Sequence, residues 1–453
     1  MKRLIIIGAG ISGVSSARML KDHLDVVILE KTAKPGGLIK CDTVDGILFH
    51  KVGGHIFNSK NKEVLKWFWE HFDQKLEFIH AHRNAKILLD GKFIGYPLEN
   101  HLYQLDLKTL SDTFEDLLVI NASGKKKLAN FDDFLKANLG MTLYNLYFNP
   151  YNSKLWNTDL SKIPLDWLDG KLPMPNLHQI IMSNVKHQEE TEMVHSTFFY
   201  PKNNGSQYIV NKLAEGLNIQ FNTEVRSIEL KRNRLLINGE IYADYIIYTG
   251  DVRELSKIYR IADSIAESKI DKIVNLKSNG TSNVLCKTDK TDLSWLYVPS
   301  AAVKANRIIY TGNFSPSNNG NHQSLTCVVE FSGRYEKDFI TEEIKKLPGN
   351  LQPIAFNYEQ NSYVIQDNTT RDYIRELRET LAKHNIYLLG RFAEWEYYNM
   401  DKCIESAMNV KEKVLNAVRE EHSQKGGNHL APTIQEKVLG SKKSKTSSIY
   451  TSA

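Results

Sequence analysis

A short β-branched strand runs straight into a glycine fingerprint, and that arrangement limits the fold more than any other feature of the chain. After its two basic residues "KRLIIIG" is wholly apolar, like strands buried on both faces of a parallel sheet. It leads into Gly8-Ala9-Gly10-Ile11-Ser12-Gly13, a GxGxxG, and then "VSSARMLKDH", which sets Val14, Ala17 and Leu20 on one helical face. "DVVILE" supplies a second strand ending on Glu30, roughly twenty residues past the glycines. Gly8 allows a tight turn, Gly10 lets the backbone approach a pyrophosphate, and Gly13 lets the helix pack close on the strand. The helix N-terminus offers free N–H groups and a positive dipole end to phosphates, and Glu30 is placed to accept hydrogen bonds from a ribose. The order of strand, glycines, helix, strand and acid implies a dinucleotide-binding unit.

Two further glycine pairs follow. Gly36-Gly37 in "KTAKPGGLIK" stands a few residues after Glu30, where a bare backbone passes close to an adenosine and pyrophosphate. "FHKVGGHIF" (49–57) sets Gly53-Gly54-His55 inside an apolar run, which weakens any helix or strand there and points to a close approach. A lone histidine in that place is either packed and hydrogen-bonded or a contact to a bound group.

With 453 residues, 42% hydrophobic and 25% charged, the chain is expected to be globular and to hold about two or three domains. The formal charge of +5 comes partly from a Lys/Ser-rich tail and makes no case for nucleic-acid binding. Cys41, Cys286, Cys327 and Cys403 lie far apart without CxxC spacing, which argues against a metal site or disulfide framework and for a reducing cytoplasm. No membrane span is expected, because no run of about 18 apolar residues occurs. "MKRLIIIGAGISGVSSA" has the order of a short signal peptide, but the glycine fingerprint accounts for the same residues more specifically.

Farther along, "NKEVLKWFWEHFD" (61–73) reads as an amphipathic helix and "AKILLDGKFIGYPLEN" (85–100) as a hairpin turning at Asp90-Gly91. Residues 103–148 read as mainly helical, with one helix closing at Gly140. From Phe148 the chain is rich in aromatics and prolines without a usable period, which suits a loop-rich cleft wall. Residues 197–217 read as strand, glycine loop and helix. The stretch 218–250 reads as a β-meander ending in a strand that rejoins the first unit. Antiparallel strands are expected over 294–333, a buried strand over 385–390, and a final helix burying Ile404, Ala407, Met408, Leu415 and Val418. After about residue 422 the composition suits a flexible tail.

The GxGxxG, Glu30, "PGGL" and "VGGHIF" together resemble the FAD-binding half of UDP-galactopyranose mutases, and more loosely protoporphyrinogen oxidases and flavin amine oxidases. "VGGHIF", "GYPLEN" (95–100), "NPYNSKLWNTDLSKIPLDWLDGK" (149–171), "NRIIYTGNFSPSNN" (306–319) and "GRFAEWEYYNMD" (390–401) are most similar to the eukaryotic-type branch. The resemblance implies an α/β fold with a Rossmann-like FAD-binding domain (1–100, 200–275 and 380–422), discontinuous in sequence. It further implies a helical insert with substrate loops (101–199), an antiparallel β-sheet substrate domain (276–379) and a tail (423–453). Cofactor contacts are implied for Gly8, Gly10, Ser12, Gly13, Glu30, Lys31, Gly36, Gly37, Gly54, His55, Gly390, Arg391, Asn399 and Met400. Substrate contacts are implied for Tyr151, Asn152, Trp156, Arg307 and Tyr397.

A UDP-sugar needs fixed cations for its pyrophosphate and an aromatic or apolar shelf for its uracil. Arg307 is the implied diphosphate ligand, assisted by Lys171, with Tyr397 near the sugar and His55 against the flavin. Two departures from the family pattern stand out. Lys171 replaces an arginine of the eukaryotic-type mutases, and Asn399 replaces an acid found in the prokaryotic ones. The implied activity is a UDP-galactopyranose to UDP-galactofuranose isomerisation, with reduced flavin N5 as nucleophile, serving cell-surface polysaccharide synthesis. Its implied partners are a UDP-sugar, a reductant such as NAD(P)H or a reductase, and a second copy in a homodimer. The competing expectation is an FAD oxidoreductase of the amine oxidase or protoporphyrinogen oxidase type, whose pocket should be apolar and need no paired cations.

Overall fold

The first apolar strand pairs on both sides, as its lack of polar alternation requires. In the computed structural model, which describes residues 1–124, 127–165, 168, 176–187, 196–232, 234–260, 266–321 and 323–426, β1 (Arg3–Ile7) lies centrally in a parallel sheet. From one edge to the other that sheet runs Ile386–Leu388, Tyr245–Tyr248, β1, β2 (Asp25–Leu29) and Ile219–Gln220. α1 (Ile11–Leu20) buries Val14, Ala17 and Leu20 against the last helix, Met400–Gly426, which buries Ile404, Ala407, Val410 and Val414. Met408, Leu415 and Val418 pack at the margin of the same core.

A larger, mainly antiparallel sheet of seven strands stands beside it. Its order is Gln352–Val364, Ser278–Thr288, Leu325–Ser332, Ala305–Ile309, Trp295–Tyr297, Ala85–Leu89 and Lys92–Gly95. The hairpin at 85–95, read with the first hundred residues as part of the cofactor unit, completes this sheet through parallel pairing of Ala85–Ile87 with Trp295–Tyr297. The mixed α/β fold, with one parallel sheet and separate antiparallel ones, is therefore present.

Two local expectations change. Ile219–Gln220 does not belong to a meander: it pairs in parallel with β2, and only 228–243 form a small antiparallel sheet. The stretch after Phe148 does not begin as a loop, because Asn149–Trp156 is a helix with proline in its first turn. This helix continues directly from the helical turn Tyr144–Phe148, proline's ring pre-sets the helical φ, and Tyr147 stacks on Tyr151 one turn later at 5.4 Å. Near residue 140 the expected stop holds in part, since Gly140 takes a non-helical conformation between two helical stretches. The tail lies almost wholly outside the described residues, of which the last are 423–426, the end of the final helix. Among the described residues no helix is long and apolar enough to cross a membrane, and Cys41, Cys286, Cys327 and Cys403 are free and buried.

Candidate active site

The glycine fingerprint and the second glycine pair are built against each other. A Cβ on Gly13 would sit 2.0 Å from the Gly8 carbonyl oxygen, so only glycine lets α1 start this close to β1. Gly10 bridges Gly36, and a Cβ on Gly37 would lie 3.2 Å from the Gly10 Cα. The two segments cross backbone to backbone and leave the first turn of α1 facing a cleft of about 1000 Å³. Gly10, the N-cap residue, brings no side chain to that end, so the helix N–H groups are open to an anion. Glu30 is buried at the end of β2, where its carboxylate accepts from the Ala9 N–H at 2.8 Å and from the Thr32 N–H and hydroxyl at 2.9 and 2.7 Å. It thereby ties the glycine turn to the strand while still lining the cleft. Ser12 lines the cleft as well, and Lys31 stands exposed at its rim.

The far wall belongs to the large sheet. Strand pairing sets Asn357, Asn283, Glu330, Arg307 and Tyr297 directly opposite one another in a row across five strands. The neighbouring row, Val284, Val329, Ile308 and Leu296, faces the apolar core on the other side. The polar row receives the segment around the third glycine pair. Asn283 Oδ1 accepts from the Gly53 N–H at 2.9 Å, and Asn357 Nδ2 donates to the Lys51 carbonyl at 2.7 Å.

This docking accounts for the bare backbone in "VGGHIF". A Cβ on Gly53 would stand 3.0 Å from Glu330 Oε2, and one on Gly54 would stand 2.5 Å from Ile309 Cγ2. The space that a side chain would need is filled by the protein's own sheet. Gly54 and His55 nonetheless line the cleft.

Arg307 donates through Nη2 to Glu330 Oε2 at 2.7 Å and to the Tyr363 hydroxyl at 2.8 Å. Glu330 also accepts from Asn306 Nδ2 at 2.8 Å and from Tyr363 at 3.1 Å. Burial disfavours the Arg307 charge, yet Glu330 opposite it holds the guanidinium well above its ordinary pKa. His55 Nε2 is buried with no hydrogen-bond partner among the described residues. Burial, then the charges of Arg391 and Arg307, push that imidazole down to about 3, so it is neutral at physiological pH.

Arg391 donates to the Tyr398 carbonyl at 2.8 Å and the Ser362 carbonyl at 2.9 Å, and its guanidinium lies 4.9 Å from the Tyr397 ring centre. Tyr397 stacks on Tyr363 at 5.6 Å and meets the edge of Trp156 at 5.8 Å. Asn399 and Met400, at the start of the final helix, complete this end of the cleft.

Of the residues expected at a cofactor or substrate, the cleft brings together Gly8, Gly10, Ser12, Glu30, Lys31, Gly36, Gly37, Gly54, His55, Arg307, Arg391, Tyr397, Asn399 and Met400. Gly13 and Gly390 act behind the wall: a Cβ on Gly390 would lie 2.5 Å from Ser12 Oγ. Tyr151 stands one layer back, edge-on to Tyr297 at 5.4 Å. Trp156 backs Tyr397 across a separate cavity of about 10 Å³. Asn152 turns inward, its Nδ2 donating to the Phe148 carbonyl of its own helix at 2.7 Å. Lys171 lies outside the described residues.

The structure adds Arg83, Glu330 and Tyr363, which carry no motif. Glu330 alone left a sequence signal, as the single charged residue in the strand "LTCVVEFS".

A family model described as flavin containing amine oxidoreductase matches residues 11–415. The chain is similar to the UDP-galactopyranose mutase of Mycoplasma genitalium, 24% identical over 436 residues, which cover 91% of this chain and 95% of that one. It is also similar to the dTDP-fucopyranose mutase of Escherichia coli, 27% identical over 182 residues, or 38% of this chain and 46% of the other. In fold it matches a crystal structure of reduced UDP-galactopyranose mutase with a TM-score of 0.81 at 18% identity, over 92% of this chain and 96% of that one.

Proposed function

The chain belongs to the flavin containing amine oxidoreductase family, and on that premise we propose that it is an FAD-dependent nucleotide-sugar mutase of the UDP-galactopyranose to UDP-galactofuranose type, acting in cell-surface polysaccharide synthesis. The observation that carries this reading is the continuity of one cleft from the glycine cradle to a wall holding Arg307 and Arg83. A pocket for a cationic amine gains nothing from fixed cations beyond those that hold the cofactor's phosphates, whereas a nucleoside diphosphate requires them.

The residues fit FAD: a backbone crossing that only glycines permit, an open helix N-terminus, a buried acid at the ribose position and an unpartnered imidazole nitrogen. FAD, in its reduced form, would supply the nucleophile for a ring contraction without net redox change. The α1 N-terminus would hold the pyrophosphate and Glu30 the adenosine ribose. His55, neutral and buried, would meet the cofactor through its unpartnered Nε2. Arg307, oriented by Glu330 and Tyr363, holds the diphosphate as it leaves and returns, with Lys171 assisting. Tyr397, clamped between Tyr363, Trp156 and Arg391, shapes the sugar site. The N-terminus of the final helix, near Asn399–Asp401, favours negative charge next to it. NAD(P)H or a reductase keeps the cofactor reduced, and a homodimer is the proposed assembly.

The test is to reduce the purified yellow protein with dithionite, add UDP-galactose and related nucleotide sugars, and separate the products by chromatography. A furanose product is expected. No turnover of any nucleotide sugar, together with oxygen-consuming oxidation of an amine or porphyrinogen, would overturn the reading.

A further inference from the structure

A diphosphate is held best by two fixed cations, and the residue expected as the second, Lys171, offers a point charge on a flexible stem. The cleft contains a better-prepared candidate. Arg83 stands two residues before the hairpin strand Ala85–Leu89, which pairs with Trp295–Tyr297. Its guanidinium carbon lies 5.0 Å from the ring centres of Tyr96 and Trp295 and 5.9 Å from that of Tyr297. Nη2 donates to the Tyr297 hydroxyl. Tyr297 in turn stands directly opposite Arg307 in the sheet. The strand that positions the Arg83 hydrogen-bond partner is therefore the neighbour of the strand that carries Arg307.

We propose that Arg83 is the second anion-binding cation of this site and, with Arg307, forms the clamp that makes the cleft selective for a nucleoside diphosphate over a monophosphate. The inference rests on the nucleotide-sugar reading above.

Three observations support it. Both arginines line the same cleft, and each keeps a buried Nε that donates to nothing among the described residues. An arginine whose fork is only partly filled while its flat faces are packed is a preorganised donor with N–H groups to spare. The two charges also oppose each other, and the fold offsets that repulsion separately, with Glu330 under Arg307 and the electron-rich faces of three aromatic rings around Arg83. An anion between them would relieve the remaining repulsion.

The experiment compares UDP, UMP and uridine by isothermal titration on the flavin-loaded wild-type protein and on Arg83→Met and Arg83→Gln. Methionine keeps the apolar length against the three rings, and glutamine keeps a donor without charge. For wild type, UDP should bind more tightly than UMP, and the difference should shrink as salt rises. Either variant should lose about ten- to a hundredfold in UDP affinity, as expected for one charge-assisted bidentate contact. Uridine affinity should stay unchanged, so the UDP-to-UMP ratio collapses. A purely structural role would weaken all three ligands together. Equal UDP-to-UMP ratios in wild type and in a flavin-loaded variant would overturn the role of Arg83 while leaving the mutase reading standing. Absence of UDP binding by the wild type would overturn both.

Discussion

Replacing Glu330 by glutamine separates two things its carboxylate does: it stabilises the fold and it occupies Arg307. The carboxylate side chain is 1% exposed and that of Arg307 is 22% exposed. Breaking a fully buried pair by removing one partner costs about 3–5 kcal/mol, most of it from the stranded charge. Here the stranded guanidinium borders a cleft, and the glutamine can remake its neutral hydrogen bonds. Asn306 Oδ1 has no partner among the described residues, so that amide can turn over and accept from the new NH₂ group. The expected loss is therefore roughly 2–3 kcal/mol, less than for a wholly enclosed pair. It is read as a lowered urea midpoint at unchanged slope, followed by tryptophan fluorescence.

The same change frees an arginine in the proposed anion site, so UDP affinity should rise as stability falls. Saturating UDP should then restore much of the deficit, since ligand at about 100 times its Kd stabilises by about 2.7 kcal/mol. A Glu330→Gln protein destabilised by under about 1 kcal/mol would show that the pair is not the effectively buried one described. A fall in UDP affinity would refute the view that Glu330 competes with the ligand for Arg307.

Two further outcomes are expected. His50 is fully buried, with Nε2 2.6 Å from the Tyr200 hydroxyl, and burial, then His55, pushes its pKa from 6.5 down to about 3. The folded pKa lies below the unfolded one, so its stability contribution is complete above 6.5 and is lost as pH falls toward 3. Between neutrality and about pH 4.5 the wild type should lose about 2–3 kcal/mol more than His50→Gln in parallel urea titrations, and identical pH slopes would contradict this. Lys154 Nζ donates to the carbonyls of Val298, Ser300 and Val303, each at 2.7 Å, and ties the Asn149–Trp156 helix to the loop between Tyr297 and Arg307. Lys154→Met should lower stability by about 1–3 kcal/mol, because it strands those carbonyls, and should raise the KM for the nucleotide sugar more than it lowers kcat. An unchanged urea midpoint would count against it.

What could be read in the sequence is local. A buried apolar strand, three glycines at fixed offsets, an apolar helical stripe and an acid lie within thirty residues, and their spacing alone requires the crossing that the structure displays. Gly36-Gly37 was legible for the same reason, since it returns to Gly10 within a few residues. The hairpin at Asp90-Gly91 and the stripe of the final helix follow from periods of 2 and 3.6.

Tertiary structure alone decided what lies on the other side of the cleft. Asn357, Asn283, Glu330, Arg307 and Tyr297 come from five strands and meet only because of register; a slip of one residue would send any of them to the apolar face. No single-strand pattern encodes that lateral neighbour, which is why "VGGHIF" could be recognised as a close approach but not matched with what approaches it. Arg83 was invisible for the same reason. Its partners Tyr96, Trp295 and Tyr297 are distant or unpatterned in sequence, and parallel pairing of the hairpin with a strand some two hundred residues away gathers them into one wall.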